Sequence, residues 1–562
     1  MKTLLKGAYV VNVFTDSVDL ADVLMDGDTI MGVGEYDETD ADTVIDLSGK
    51  YLSPGLIDSH IHIESTMLTP TELAKVSLPH GTTSIVADPH EIANVCGVTG
   101  IRYMLEASRG LPLHVYFALP SCVPATPFDE AGATLLAEDL RPFYDDPAVV
   151  GLAEMMNYPG VLGADGTVME KINEAKRQGK VIDGHAPMLS GKALDRYVAA
   201  GVDSDHECSC IEEAKEKIAK GQWIMIRQGT AARNLSALLP LFEPPYDRRC
   251  VLATDDRHPA DLAEEGHIDH IIRLAVRAGK NVCTAIRMAS LQAAARFGIM
   301  RVGAIAPGYR ADLLVLENLQ EFRIKSVYSG GKLVAEDGNA LGVEAPVVSD
   351  ETKNKVLSSF CLPPLTASDF YIPPKGKRSR VIRVLPGELF TENEEVEIAW
   401  DKNNGVDTER DLLKLAVVER HRGTGHRGLG FIKGLGMTCG AIASSVSHDS
   451  HNLIVVGTND DDMAFAANCV RERGGNVVVL DGQVLAEMPL PIAGLMSDKT
   501  AREVASENER VREAVRLLGV TDGIEPFMNM AFVSLTVIPK LKMTTQGLVD
   551  VEKQERVSLY LS

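Results

Sequence analysis

Two histidines one residue apart, His60 and His62, close an apolar run that begins Leu52-Ser-Pro-Gly-Leu-Ile-Asp-Ser. Alternate side chains of an extended strand share a face, so both imidazoles point to one place, as half of a metal site requires. Residues of the same ligating type end other apolar runs: Glu154 after Val149-Val-Gly-Leu-Ala, His185 after Lys180-Val-Ile-Asp-Gly, His206 after Gly201-Val-Asp-Ser-Asp, and Asp255 after Cys250-Val-Leu-Ala-Thr. Alone, each has an ordinary explanation as a hydrogen-bonded structural histidine or a helix-capping carboxylate. Six of them at five strand ends outweigh those explanations, and imidazole with carboxylate suits zinc, iron or manganese.

Residues so far apart in the chain need a scaffold that gathers strand ends. Between about 52 and 300, eight strand-like runs alternate with helix-like segments; besides those above they include Thr83-Ser-Ile-Val-Ala, His114-Val-Tyr-Phe-Ala-Leu and Trp223-Ile-Met-Ile-Arg. Segments 167–178, 210–220 and 268–278 carry helical patterns between them. This alternation predicts parallel βα units, and eight such units in roughly 250 residues have the size of a (β/α)8 barrel, whose C-terminal strand ends share one rim.

The predicted fold class is therefore α/β: a (β/α)8 barrel over 52–300, a small composite β-domain built from both its flanks, 1–51 and 301–345, and an additional C-terminal α/β domain over 380–562. The Pro-containing stretch 346–379 is expected to be a linker. Gly428-Leu-Gly430 and Gly434-Leu-Gly436 do not complete a dinucleotide fingerprint and are expected as turns.

At 562 residues the chain exceeds the roughly 250 to 300 at which a single core stops growing. A formal charge of -23 argues against binding a nucleic-acid backbone. Nine scattered cysteines, with Cys208 and Cys210 wrongly spaced for a CxxC motif, read as reduced thiols; Cys208 and Cys210 are expected to pack rather than ligate. Lys6, Gly7 and Asn12 interrupt the opening apolar run, so it reads as a first strand and not a signal peptide. No run reaches the roughly 18 apolar residues of a membrane helix. A cytoplasmic protein with no nucleic-acid or membrane partner is expected.

Two cations a few ångströms apart repel, and an anionic ligand between them fixes their spacing. Glu154 can serve, dividing His60, His62 and Asp255 from His185 and His206. A water bridging the ions would be acidic enough to ionise near neutrality, with Asp255 beside it as general base and then acid.

The Pro54-Gly-Leu-Ile-Asp-Ser-His-Ile-His62 opening, with Glu154, His185, His206 and Asp255, resembles the amidohydrolase superfamily. Within it the closer resemblance is to the bacterial adenine deaminase family, carried by His60-Ile-His-Ile-Glu-Ser65, Ala87-Asp-Pro-His-Glu-Ile-Ala-Asn-Val-Cys-Gly97, Asp183-Gly-His-Ala-Pro187, Thr254-Asp-Asp-Arg257 and the block from Gly434 through Asn452. Many binuclear amidohydrolases carry a carboxylated lysine where this chain has Glu154, which weighs against hydantoinase or dihydroorotase readings.

The resemblance implies deamination of adenine to hypoxanthine and ammonia, two divalent ions per chain (manganese or iron, with zinc also suited), a small purine as partner, and a homo-oligomer, a dimer by family analogy. It makes His90 and Glu91 expected catalytic residues alongside Asp255, and Glu207, His448 and His451 expected substrate contacts. Competing accounts stand beside these: a capped turn after Pro89 for His90 and Glu91, a loop rather than a helix for His448 and His451, and a solvated basic loop rather than a lid for His421. A cyclic-amide hydrolase or amino-sugar deacetylase would use the same barrel. An inactive interaction protein would also keep the fold, but every ligand position here is filled.

Overall fold

Tyr51–Pro54 is the strand at which the two flanks of the chain meet. On one side it pairs with Lys2–Asn12, and on the other it runs antiparallel to Leu313–Asn318, with Leu313 opposite Pro54 and Leu316 opposite Tyr51. The nine-stranded sheet so formed takes five strands from before residue 55 and four from after residue 312. Leu5, Ala8, Val10, Val23, Leu52, Leu313 and Val315 fill its buried face. The computed structural model describes residues 2–230, 232–386, 388–401, 403–521 and 523–561.

Between those flanks lies a curled parallel sheet of TIM-barrel-like α/β type. Val181–Gly184, Val149–Met155, His114–Leu119, Thr82–Ala87 and Leu56–Ile61 are joined in that order, and Ser204–Asp205, Trp223–Arg227 and Cys250–Ala253 form a second parallel set. The sets approach each other at both ends. The Asp255 amide donates to the His60 carbonyl at 2.9 Å, and the Asp203 amide to the Ile182 carbonyl at 3.2 Å. At the second junction a side chain in place of Gly184 would strike the Ser204 carbonyl, so only glycine permits this approach.

The strands are buried on both faces, as parallel strands covered by helices must be. The helices expected from periodicity are Gly166–Arg177, Ile211–Ala219 and Ile268–Arg277. The first starts where the Asp165 carboxylate caps the Thr167 and Val168 amides, worth about 1 kcal/mol.

The segment expected as a linker is packed. It contains the helix Asp350–Leu357, and Val356, Leu362, Leu365 and Phe370 are buried. Its prolines set extended backbone, but the apolar residues between them find a core.

The C-terminal part is built on a second nine-stranded sheet, largely antiparallel, with Leu413–Val418 and Leu453–Gly457 near its centre. Alternation sorts its two faces. Leu413, Leu415, Val417, Ile454 and Val456 join the core that also contains barrel residues such as Leu68, Ile92 and Val95. Ala416, Val418, Leu453 and Val455 pack under the helix Asp460–Arg473.

Gly428 and Gly430 lie inside the strand Arg427–Lys433 and not in a turn. The Thr544 carbonyl crosses so near Gly428 that a side chain there would strike it, which is why the strand tolerates glycine. Among the described residues no helix is long and apolar enough to cross a membrane.

Candidate metal centre and its rim

Each ligand-type side chain sits at or just past the C-terminal end of a parallel strand, and buried hydrogen bonds set its position. Asp58 accepts from the His60 amide at 3.2 Å and the Thr254 amide at 3.1 Å, and also takes the Thr254 hydroxyl, so one carboxylate aligns the ends that bear His60 and Asp255. The Tyr197 hydroxyl accepts from the His185 amide at 3.0 Å and donates to the Met155 carbonyl at 2.8 Å, fixing the strand ends of His185 and Glu154. Lys217, fully buried, holds Asp205 at 2.6 Å and the Ala186 carbonyl at 2.8 Å beside His206. Asp255 adopts φ 60, a left-handed conformation that turns its carboxylate into the cavity.

The structure brings His60, His62, Glu154, His185, His206 and Asp255 together. Glu154 lies between two pairs of histidines. Its Oε1 is 3.3 Å from His62 Nε2 and 3.9 Å from His60 Nε2; its Oε2 is 2.7 Å from His185 Nδ1 and 3.2 Å from His206 Nε2. Asp255 Oδ1 faces His60 and His62 at 3.4 and 3.2 Å. All six are at least nine-tenths buried.

The electrostatics are those of a cluster that wants positive charge. Burial opposes an ionised Glu154, but His185 and then His206 and His62 outweigh it and hold the carboxyl well below its usual range. Burial likewise opposes Asp255, and the Arg227 guanidinium with His60 and His62 overcomes it. His62 and His206 are pushed well up by these carboxylates against the effect of burial.

The donor set fits a divalent cation. Nitrogen and oxygen atoms of His60, His62 and Asp255 converge within 4.8 Å, as do those of His60, Glu154 and His206, and of His185, His206 and Glu207. His60 Nε2 is buried without a hydrogen-bond partner although it faces two carboxylates. His62 Nδ1 faces the Asp88 carbonyl at 3.2 Å, the outer contact that leaves Nε2 as the ligating nitrogen.

The rim residues fall into two sets. His90 Nδ1 lies 3.0 Å from Asp88 Oδ2 and 3.7 Å from Glu154 Oε1, and its ring is 4.7 Å from that of His62. The capped turn is present as well, since Asp88 also accepts the His90 amide at 3.1 Å. Glu91 Oε1 accepts from Ser65 at 2.7 Å, while Oε2 is 3.5 Å from His451 Nε2. Glu64, beside Glu91, has its carboxyl pushed up to about 8 by burial and then by that like charge.

Glu207 lies with the second histidine pair, 3.6 Å from His185 and 3.4 Å from His206, and receives Arg227 at 2.6 Å. His448 and His451 occupy a single turn and not a helix: the His451 amide donates to the Ser447 carbonyl, and the His448 ring stacks on Phe532 at 4.5 Å. His421 is not at the rim; its Nε2 faces the Ser450 carbonyl at 2.7 Å and braces that turn from behind. Cys208 is buried and belongs to none of these converging donor groups, and its carbonyl is bound by Asn234.

Two neighbours escaped the sequence reading. Arg227 bridges Asp255 and Glu207, and its place at the end of the run Trp223–Arg227 was the available signal. Asp449, whose Oδ1 is 3.7 Å from His90 Nε2, carried none.

A cavity of about 1040 Å³ opens over His185 and Glu207, between Met156 and Tyr158 on the barrel side and Phe390 and Val537 on the C-terminal side. A barrel-like sheet whose strand ends gather imidazoles and carboxylates beneath such a cavity defines a metal-dependent hydrolase. Comparison with known proteins narrows the class. Residues 51–334 match the amidohydrolase family and residues 388–555 the adenine deaminase C-terminal domain.

The chain is 49% identical over 550 residues to adenine deaminase 2 of Carboxydothermus hydrogenoformans, covering 98% of this chain and 95% of that one. It is 46% identical to the adenine deaminase of Desulfatibacillum aliphaticivorans, with 99% and 97% covered, and 43% identical to that of Bacillus velezensis, with 99% and 96% covered. Among solved structures, dihydropyrimidinase from Brevibacillus agri aligns with a TM-score of 0.47 at 18% identity, over 61% of this chain and 97% of that one. The chain belongs to the adenine deaminase family of the amidohydrolases.

Proposed function

We propose that this chain hydrolyses adenine to hypoxanthine and ammonia. The observation that carries the reading is Glu154, which presents one oxygen to each of two histidine pairs beneath a cavity with ample room for a purine. The near-full-length match to adenine deaminases supports the choice of substrate. The parallel strands are read as a complete (β/α)8 barrel on the hydrogen bonds that join their two sets, with the domain limits given above.

His60, His62 and Asp255 would hold one divalent ion and His185 and His206 the other, with Glu154 between; manganese or iron is favoured, and zinc also suits these donors. When bound, the ions supply a water acidified toward hydroxide and neutralise charge that develops in the reaction. Asp255 would accept a proton on a carboxylate oxygen and deliver it to the departing amine. Arg227, on the other Asp255 oxygen, keeps the carboxylate ionised and aimed. Glu207 lines the cavity, while His90, beside Glu154, and Glu91 stand on the other side of the cluster; one of the three would protonate a ring nitrogen. His448 and His451 close the side near Glu91.

The test is removal of metal by a chelator, followed by stepwise return of manganese or iron(II) under anaerobic conditions. Hypoxanthine formation should vanish and return, reaching full rate at two ions per chain. Full activity in metal-free protein, or none with adenine at full metal content, would overturn the proposal.

A further inference from the structure

No step of the deamination uses Asn157, although it stands three residues beyond Glu154. Two tight turns carry the chain there from the strand Val149–Met155: the Met156 amide donates to the Glu154 carbonyl at 3.0 Å, and the Tyr158 amide to the Met156 carbonyl at 2.8 Å. Asn157 is half-buried and lines the same cavity as His185 and Glu207.

The two polar atoms of its side chain differ in what they face. Oδ1 accepts the Gly160 amide at 2.9 Å and so caps the short helix Tyr158–Leu162. Turning the amide over would set Nδ2 against that same N–H, donor against donor, so the Gly160 amide fixes which atom is which. A side chain at Gly160 would come within 2.9 Å of Oδ1 and 3.0 Å of Nδ2, and glycine there keeps this pose uncrowded. Nδ2 has no hydrogen-bond partner among the described residues and is not buried, so its donors are open to the cavity that Asn157 lines.

We propose that Asn157 is a substrate contact, its Nδ2 donating to an unprotonated ring nitrogen of adenine, N3 or N7, and so setting how the ring lies over the metal centre. The inference rests on the deaminase reading. A neutral N–H held in one direction matches an in-plane nitrogen lone pair, and a site built around such a bond rejects a ligand that lacks the matching atom.

Two variants separate this role from the helix cap. Asn157→Asp removes the donor but keeps an oxygen for the Gly160 amide, since aspartate caps helices as well as asparagine does; Asn157→Ala removes both. Each should raise KM for adenine about tenfold, the loss of one hydrogen bond between neutral groups, with kcat within about twofold and metal content unchanged. Inhibition constants of 3-deazaadenine and 7-deazaadenine, each with a C–H in place of one nitrogen, then identify the acceptor. The analogue lacking it should bind wild type and Asn157→Asp about equally, and the other should lose about tenfold. A raised KM in Asn157→Ala alone would leave only the cap, and one in Asn157→Asp alone would be repulsion by the new charge. Either result, an unchanged KM in both variants, or equal losses for the two analogues would overturn the contact. A wild-type enzyme that makes no hypoxanthine at full metal content would instead remove the deaminase reading, and calorimetric titration of adenine into wild type and Asn157→Asp would still judge the contact.

Discussion

His90 shows how far a single side chain can be interpreted. In the sequence it stands after Pro89, where a capped turn explains it as well as chemistry does. In the fold its Nδ1 faces Asp88 and Glu154, and its Nε2 faces Asp449 from the distant C-terminal sheet. A residue kept only for a turn would not be gripped from both sides at a metal centre. His90→Asn is therefore expected to lower kcat about a hundredfold or more, a typical loss for a positioned proton-transfer group, while metal content stays at the wild-type value. Metal analysis and steady-state kinetics on the same preparation check this; unchanged turnover would return His90 to the turn. The six ligand-type residues were legible because each ends an apolar run. Arg227 ends one too, but arginine does not ligate, so attention passed over it. Asp449 was not legible, since nothing in Ser447-His-Asp-Ser-His-Asn452 says which side chain turns toward the barrel.

Among the elements, strands were easier to find than the contacts that fix their register. Runs such as His114–Leu119 and Trp223–Arg227 stand out by hydrophobicity, and the observed strands match them. The role of Asp58 in aligning the ends of two strands nearly two hundred residues apart could not be seen, because it depends on the Thr254 amide lying beside it.

The strand Leu541–Thr544 carries a second hidden feature. Lys542 is fully buried, with the Leu389 and Phe532 carbonyls as its acceptors, and burial holds its pKa down to about 7. Between pH 7 and the ordinary lysine range the unfolded chain keeps a proton that the folded chain has released. The unfolded state binds more protons there, so this residue's contribution to stability rises with pH across that window and is flat below it. Urea midpoints of wild type and Lys542→Met should accordingly diverge in favour of wild type from pH 7 to pH 10, on the order of a few kcal/mol. A constant difference across that range would exclude a buried, neutral Lys542.

At the scale of the whole molecule the C-terminal part is fixed to the barrel. The 126–130 segment, which follows the third parallel strand, is tied to it repeatedly: Thr126 to Thr536 at 2.6 Å, Asp129 to Thr536 at 2.6 Å, Glu130 to His426 at 2.8 Å, and the Glu130 carbonyl to Asn452 at 2.8 Å. Leu415, Val456 and Ile442 share one buried cluster with barrel residues. A chain ending at residue 375 would uncover that apolar face and remove Asp449, His448 and His451 from the rim. It is expected to be inactive and aggregated, as size-exclusion chromatography and an adenine assay would show; a soluble fragment with full activity would contradict the shared core.

The sequence by itself determined the alternation of strands and helices, the ligand types at strand ends, and the pairing of both flanks in one β unit, because hydrophobic period and residue chemistry are local properties. The tertiary structure alone decided which oxygen of Glu154 faces which histidines, and that Arg227 and Asp449 stand at the site. Those facts depend on distances between residues far apart in the chain. Only the packed chain sets such distances.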